Sequence, residues 1–255
     1  MMSDADFAAP HQRLPVSHMD EAPLLPPPPK SVRETGLELA LLVELVAKIM
    51  HADGRIHLPV LTGKLRLSFN VLREVLGYMM AEQLLEVATR GESDLDVHYQ
   101  LTGNGRARAG EFLARSRYAG AAPVTLQAYR EQLLRQSRRG QHGARVGAAD
   151  MAAAFADDVV DASLRTQLGA ALQSGRSILL FGPSGSGKTT LARKLGALQA
   201  GSIAVPYAVL VDHAIVQIHS PQVHVATGPA QVRMDERRPM DSRWVMCQRP
   251  LVPVG

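Results

Sequence analysis

One short phrase constrains this chain more than anything else in it. Ser177-Ile-Leu-Leu-Phe181 is an apolar run of buried-strand type. It is followed at once by Gly182-Pro183-Ser184-Gly185-Ser186-Gly187-Lys188-Thr189, and then by a helical pattern from Thr190 to Leu198. Strand, glycine-rich loop, helix is the context that the spacing G-x-x-x-x-G-K-T requires of a P-loop. Gly182, Gly185 and Gly187 let the backbone take positive φ and approach a phosphate without a Cβ, so that successive amides point inward as an anion nest. Lys188 is expected against the β and γ phosphates of ATP, and the Thr189 hydroxyl on Mg²⁺, while the helix that follows aims its positive dipole end at the same charge. Pro183, Ser184, Ser186 and Thr190 complete the expected nucleotide-binding set, with ATP and Mg²⁺ as ligands.

A P-loop binds nucleotide but does not by itself activate water. Hydrolysis needs a second strand ending in two carboxylates, one holding Mg²⁺ through water and the other orienting the nucleophile. Val209-Leu-Val-Asp212 has the apolar run and one acid, but His213 follows it. The preferred reading is a hairpin, with Asp212-His-Ala as the turn between Ala208–Val211 and Ile215–His219. Asp235 and Glu236 are adjacent acids inside the polar run 233–243, with no apolar strand before them, and read as loop residues. Catalytic residues therefore stay unassigned, and ATPase activity stays open. His213, His219 and His224 superficially suggest a metal site, but the i, i+2 or i, i+4 ligand spacing is absent, and ordinary loop histidines are the preferred reading.

Ahead of the P-loop, Asp161–Ser174 reads as a helix with Leu164, Leu168, Ala171 and Leu172 on its apolar side. Residues 1–34 carry Pro10, Pro15, Pro23 and the run Pro26–Pro29 among Asp, Glu, Ser and His, a composition expected to be a disordered tail. The proline run is read as a stiff spacer, or else as a polyproline-II ligand. From Leu37 a helical stripe (Leu37, Ala40, Leu41, Glu44, Leu45, Lys48, Ile49) runs to Asp53. A short strand at Arg55-Ile56 and a helix opened by Pro59 and ending near Leu65 follow. Ser68 is the expected N-cap of a helix reaching Glu82, with Phe69, Leu72, Val75, Leu76 and Met79 inward. Strands at Leu84–Ala88 and Val97–Leu101 flank a polar turn, and a last helix spans Asn104–Arg117.

The net charge of +4 is too small to mark a nucleic-acid binder, but it is unevenly spread. Between Asn104 and Arg145, Arg106, Arg108, Arg115, Arg117, Arg130, Arg135, Arg138, Arg139 and Arg145 face only Glu111 and Glu131. Residues 119–150 are accordingly read as a basic linker, with a short amphipathic helix at Leu126–Leu134. The single cysteine, Cys247, cannot form an intrachain disulfide, and the N-terminus lacks the pattern of a secretory signal, which implies a cytoplasmic protein. No stretch reaches the roughly 18 uninterrupted apolar residues of a membrane span.

The order helix, strand, helix, helix, hairpin, helix over residues 35–118 resembles a winged helix-turn-helix domain, and Leu101-Thr-Gly-Asn-Gly-Arg-Ala is similar to its passage from wing to terminal helix. In that resemblance Ser68–Glu82 is the recognition-type helix. Its exposed face offers Asn70 and Arg73, with Lys64 and Arg66 just before it, beside the acids Glu74 and Glu82. That is thin for phosphate contacts, so a protein-interaction or regulatory role is preferred. The alternative is a DNA-binding regulator with a nucleotide-sensing P-loop. The words from Leu168 through Thr190 resemble the opening of an AAA+ ATPase module of bacterial remodelling type, covering residues 151–255. The resemblance implies ATP hydrolysis to remodel protein partners, usually as a ring, and adenine contacts near Val159 and Val160. The expected fold class is thus α/β: a winged helix, mostly α with a small β wing, followed by the front part of a P-loop NTPase domain. Trp244–Val254 reads as a strand that breaks off at Gly255, its edge unpaired and its apolar face half covered, so a truncated product is expected, with a complete degenerate nucleotide-binding protein as the rival.

Overall fold

The computed structural model describes residues 25–93, 95–137, 146–199, 201–227 and 240–250. They form a mixed α/β structure, and no helix among them is long and apolar enough to cross a membrane. The described chain starts earlier than expected. Pro26–Pro29 is a placed strap: Pro29 is buried, its carbonyl accepts from Ser68 Oγ (2.8 Å), and the Pro26 carbonyl accepts from the Asp241 amide (2.9 Å). Proline suits this role because its fixed φ costs little to order and its carbonyl is still free to accept. Part of the expected disordered tail, residues 25–34, is therefore structured; residues 1–24 lie outside the described residues.

The strap leads into α1 (Val32–Thr35), capped by Ser31 and closed by Gly36 at φ 71°. Next come α2 (Leu39–Asp53), β1 (Ile56–His57), α3 (Leu58–Leu65), α4 (Phe69–Ala81), β2 (Leu85–Arg90), β3 (Val97–Leu101) and α5 (Gly103–Arg115). The strands make an antiparallel sheet in the order β1-β3-β2. The predicted elements and boundaries hold here to within one or two residues, because each segment carries a strong period and a local start signal, such as Pro59 in the first turn of α3 and the Thr102 Oγ1 that caps α5 (3.0 Å from the Gly105 amide).

Two details differ. The expected stripe on α2 is too narrow: Leu42, Val43, Leu45, Val46, Ala47, Lys48, Ile49 and Met50 are all buried, while Ala40 is exposed. This helix is enclosed on most sides, and a one-face template misplaces its core face. Ser68 stands at the N-cap position of α4, but its hydroxyl is spent on Pro29 and caps nothing.

The second region is not a linker followed by one nucleotide-binding sheet. Residues 124–136, read as part of the basic linker, form β4 (Val124–Thr125) and α6 (Leu126–Gln136). β4 pairs in parallel with β6 (Ala208–Val211), which forms an antiparallel hairpin with β7 (Ala214–Gln217); β5 (Ser202–Pro206) pairs with β8 (Trp244–Gln248). Val124, Ala204, Val209, Trp244 and Met246 build its core. Side chains of the hairpin, Leu210 and Ile215, also pack on the core of α2–α5. The expected unpaired last strand is therefore corrected: β8 is fully laddered to β5, with Trp244, Met246 and Cys247 buried. Residues 251–255 lie outside the described residues, as do 138–145 of the basic run.

Between these pieces, α7 (Ala148–Ala154), α8 (Ala162–Gln173) and α9 (Lys188–Ala197) gather a separate small core: Val146, Met151, Ala154, Phe155, Leu168, Leu172, Leu195 and Leu198. The glycine-rich segment 182–187 lies between Leu180, which packs on this core, and α9.

Candidate nucleotide-binding site

The loop 182–187 joins the irregular run 177–181 to the first turn of α9. Ser177–Phe181 takes no regular secondary structure and pairs with no strand among the described residues, contrary to the buried strand expected. Only Leu180 packs on the α7–α9 core, while Ile178, Leu179 and Phe181 are exposed. No described strand covers it: β6 pairs with β4 and β7, and β5 pairs with β8.

All three loop glycines take positive φ: Gly182 at 152°, Gly185 at 80° and Gly187 at 77°. At Gly185 and Gly187 an added Cβ would meet nothing within 4 Å. The backbone angle, not crowding, is what demands glycine there. Gly187 is also the N-cap residue of α9, and it offers no side chain to satisfy the helix's first amides. Those amides have no intrahelical acceptor and so remain available to an anion.

Lys188 opens α9 and turns its ammonium back into the loop. Nζ donates to the carbonyls of Gly182 (3.1 Å) and Pro183 (2.6 Å) and to Ser186 Oγ (3.3 Å). The ammonium is thus folded back on the loop and held by three neutral acceptors. An ammonium held by neutral acceptors alone can exchange them for a charge-assisted contact with an anion. Thr189 and Thr190, in the first turn of α9, and Ser184, in the loop, are exposed to solvent. Of the adenine candidates, Val160 packs against the α7–α9 core, whereas Val159 is fully exposed and contacts no core.

Behind the loop, Lys194 of α9 is paired with Asp158 and lies over the Phe155 ring (5.8 Å to its centroid). This ties the helix that carries Lys188 to the segment just after α7. An i, i+6 spacing from Lys188 gives no sequence signal for such a tie.

The two acid candidates are placed as expected in one case only. Asp212 lies in the β6–β7 turn at φ 51°, exposed, with the hairpin registered Val211 to Ala214. Asp235 and Glu236 lie outside the described residues. The histidines 213, 219 and 224 do not gather three ligand atoms among the described residues. His219 and His224 stack (5.7 Å), the Ser220 amide donates to His224 Nδ1 (3.0 Å), and burial together with the neighbouring His224 lowers the His219 pKa.

Comparison of the chain with protein-family models, with curated proteins and with solved structures finds no match.

Proposed function

We propose that this chain binds Mg·ATP through residues 182–190, with Lys188 on the β and γ phosphates and Thr189 on the metal, as the front part of an AAA+-type P-loop module. The observation that carries the reading is the loop itself: three glycines at positive φ closing around one lysine ammonium at the uncapped start of a helix. In this reading the unit 35–118 is a winged helix that engages a protein partner in the cytoplasm.

A protein partner is favoured over DNA by what surrounds α4. The strap and α1 lie against the beginning of this helix, through Ser68 to Pro29 and through the Val32 amide, which donates to Glu74 Oε2 (3.1 Å). Arg73 is turned over the Phe69 ring (5.9 Å). A helix with its first turns strapped and its bases beside Glu74 and Glu82 is poorly prepared for a phosphate-lined groove.

The experiment is a titration of the full chain with Mg·ATP. Lys188→Ala removes a charge-assisted contact and weakens binding by about 1.5–3 kcal/mol, or roughly 10- to 150-fold. Equal affinity of the two proteins would remove the assignment.

A further inference from the structure

A second cluster of chemistry-bearing side chains lies far from the loop in sequence, on the β1-β3-β2 sheet. His57 and His98 are direct cross-strand partners, so the ladder alone places them side by side, and their rings stack at 4.6 Å with 23° between planes. Stacking accounts for the pair. It does not account for Asp96, whose Oδ1 stands 3.3 Å from His57 Nε2 in a geometry that makes no hydrogen bond. That nitrogen is shielded from solvent and has no hydrogen-bond partner. One ligand atom from each of His57, Asp96 and His98 lies within 4.8 Å of the others.

The carboxylate is held there by its turn. The Gly91 amide donates to the Asp96 carbonyl (2.7 Å), and the Asp96 amide donates to the Ser93 carbonyl (2.9 Å). A Cβ on Gly91 would stand 1.9 Å from Asp96 Oδ2, so a glycine opposite is a condition of the carboxylate's position.

We propose that His57, Asp96 and His98 form a binding site for a divalent transition-metal ion of the Zn²⁺ and Co²⁺ class. Two imidazole nitrogens and one carboxylate oxygen are the donors such ions prefer, whereas Mg²⁺ and Ca²⁺ favour oxygen alone. Bonds of about 2.0–2.1 Å in a tetrahedron put neighbouring ligand atoms about 3.4 Å apart. The His57–Asp96 separation is close to that value, and small ring rotations would bring the two pairs that involve His98 inward from within 4.8 Å. Water fills the fourth position, since the side chains of His57 and Asp96 keep access to solvent. The ion would join β1 to the β2–β3 turn and stiffen the hairpin. It is independent of the nucleotide reading.

The test uses the full chain, free of affinity-tag histidines and stripped with a chelator, titrated with Co²⁺ and followed by the visible absorption of the tetrahedral ion. One equivalent binds to the native chain, and His98→Gln, Asp96→Asn and His57→Gln each weaken it about tenfold or more. His219→Gln, in the other stacked pair, leaves it unchanged. Should the variants fold poorly, proton–nitrogen spectra of the imidazoles in the native chain decide the matter: Zn²⁺ shifts the ring nitrogens of His57 and His98. Affinity unaltered by the three substitutions, or Zn²⁺ shifts absent or confined to other histidines, would overturn the proposal.

Discussion

Arg243 and Asp241 form a buried forked ion pair. The Arg243 Nε donates to both carboxylate oxygens (3.1 Å each) and Nη2 to Oδ2 (2.8 Å), with the two residues 5% and 2% exposed. The remaining Nη1 donates to the carbonyls of Thr35 (3.3 Å) and Pro123 (3.1 Å). One guanidinium therefore joins the end of α1, the approach to β4 and the start of β8. The adjoining Ser242 hydroxyl donates to the Arg66 carbonyl, and the Arg66 guanidinium covers the Tyr207 ring at 5.0 Å.

Removing one partner of such a pair strands the other away from water. Arg243→Met leaves the Asp241 carboxylate buried and two carbonyls unsatisfied, and should cost about 3–5 kcal/mol. Asp241→Asn strands the buried guanidinium instead and should cost a comparable amount, although the new amide oxygen can still accept from the Arg243 amide (3.0 Å in the native chain). Urea midpoints of the two variants, at unchanged slope, check both losses.

The buried pair on α2 behaves asymmetrically. Lys48 is fully buried, and its Nζ meets Glu44 Oε1 at 2.5 Å, while Glu44 keeps partial exposure and a second cation, Arg115, at 3.6 Å. Lys48→Met leaves a carboxylate that still has Arg115 and water, and should change stability by less than about 1 kcal/mol. Glu44→Ala strands an ammonium in the core and should cost about 3 kcal/mol or more. Equal losses in denaturant titrations would show that the salt bridge itself, rather than the desolvated ammonium, sets the cost.

How much of this was legible in the sequence depends on how local each determinant is. The helices and hairpin of 35–118 follow from periods and turn residues within each segment. The positive φ values of Gly182, Gly185 and Gly187 follow from the motif. What the sequence hides is pairing at a distance. Gln136, written in a basic run, is buried and serves β5 like a neighbouring strand: Nε2 donates to the Ala204 carbonyl (3.0 Å), and the Ala204 amide donates to Oε1 (2.8 Å). No composition rule distinguishes this glutamine from Gln127, which faces Glu131 at the surface. His57 and His98 likewise meet only because β1 pairs with β3. Strand 177–181 failed for the same reason: a strand is defined by its neighbours, and its neighbours are elsewhere.

His219 contributes to the pH dependence of stability on the acid side. His219 titrates below the ordinary 6.5, because burial and then His224 disfavour its charged form. The unfolded chain therefore binds the proton more readily than the folded one. This contribution is fully present above pH 6.5 and is lost as pH falls below 6.5 toward and through the folded pKa. His219→Gln should flatten the decline in thermal midpoint over that window. A decline of the same steepness would assign it to other groups.

Asp212 tests the nucleotide reading from the opposite side. Its φ of 51° in the β6–β7 turn is a conformation that aspartate and asparagine adopt at little cost and that a β-branched residue resists by about 1–2 kcal/mol. As a turn residue, Asp212→Asn should leave stability and Mg·ATP affinity unchanged, while Asp212→Val lowers the urea midpoint. Hydrolysis asks more of the same residue: a carboxylate at the end of a strand beside the P-loop, orienting water against a phosphate held by Lys188. β6 lies instead between β4 and β7, and no strand among the described residues stands next to Ser177–Phe181. The full chain should therefore bind Mg·ATP and release phosphate at a negligible rate, equally in the native protein and in Asp212→Asn. A phosphate-release assay on monodisperse protein decides between the two roles. Clear Mg²⁺-dependent turnover, abolished both by Lys188→Ala and by Asp212→Asn, would make Asp212 a catalytic carboxylate and require a rearrangement that carries the hairpin to the loop.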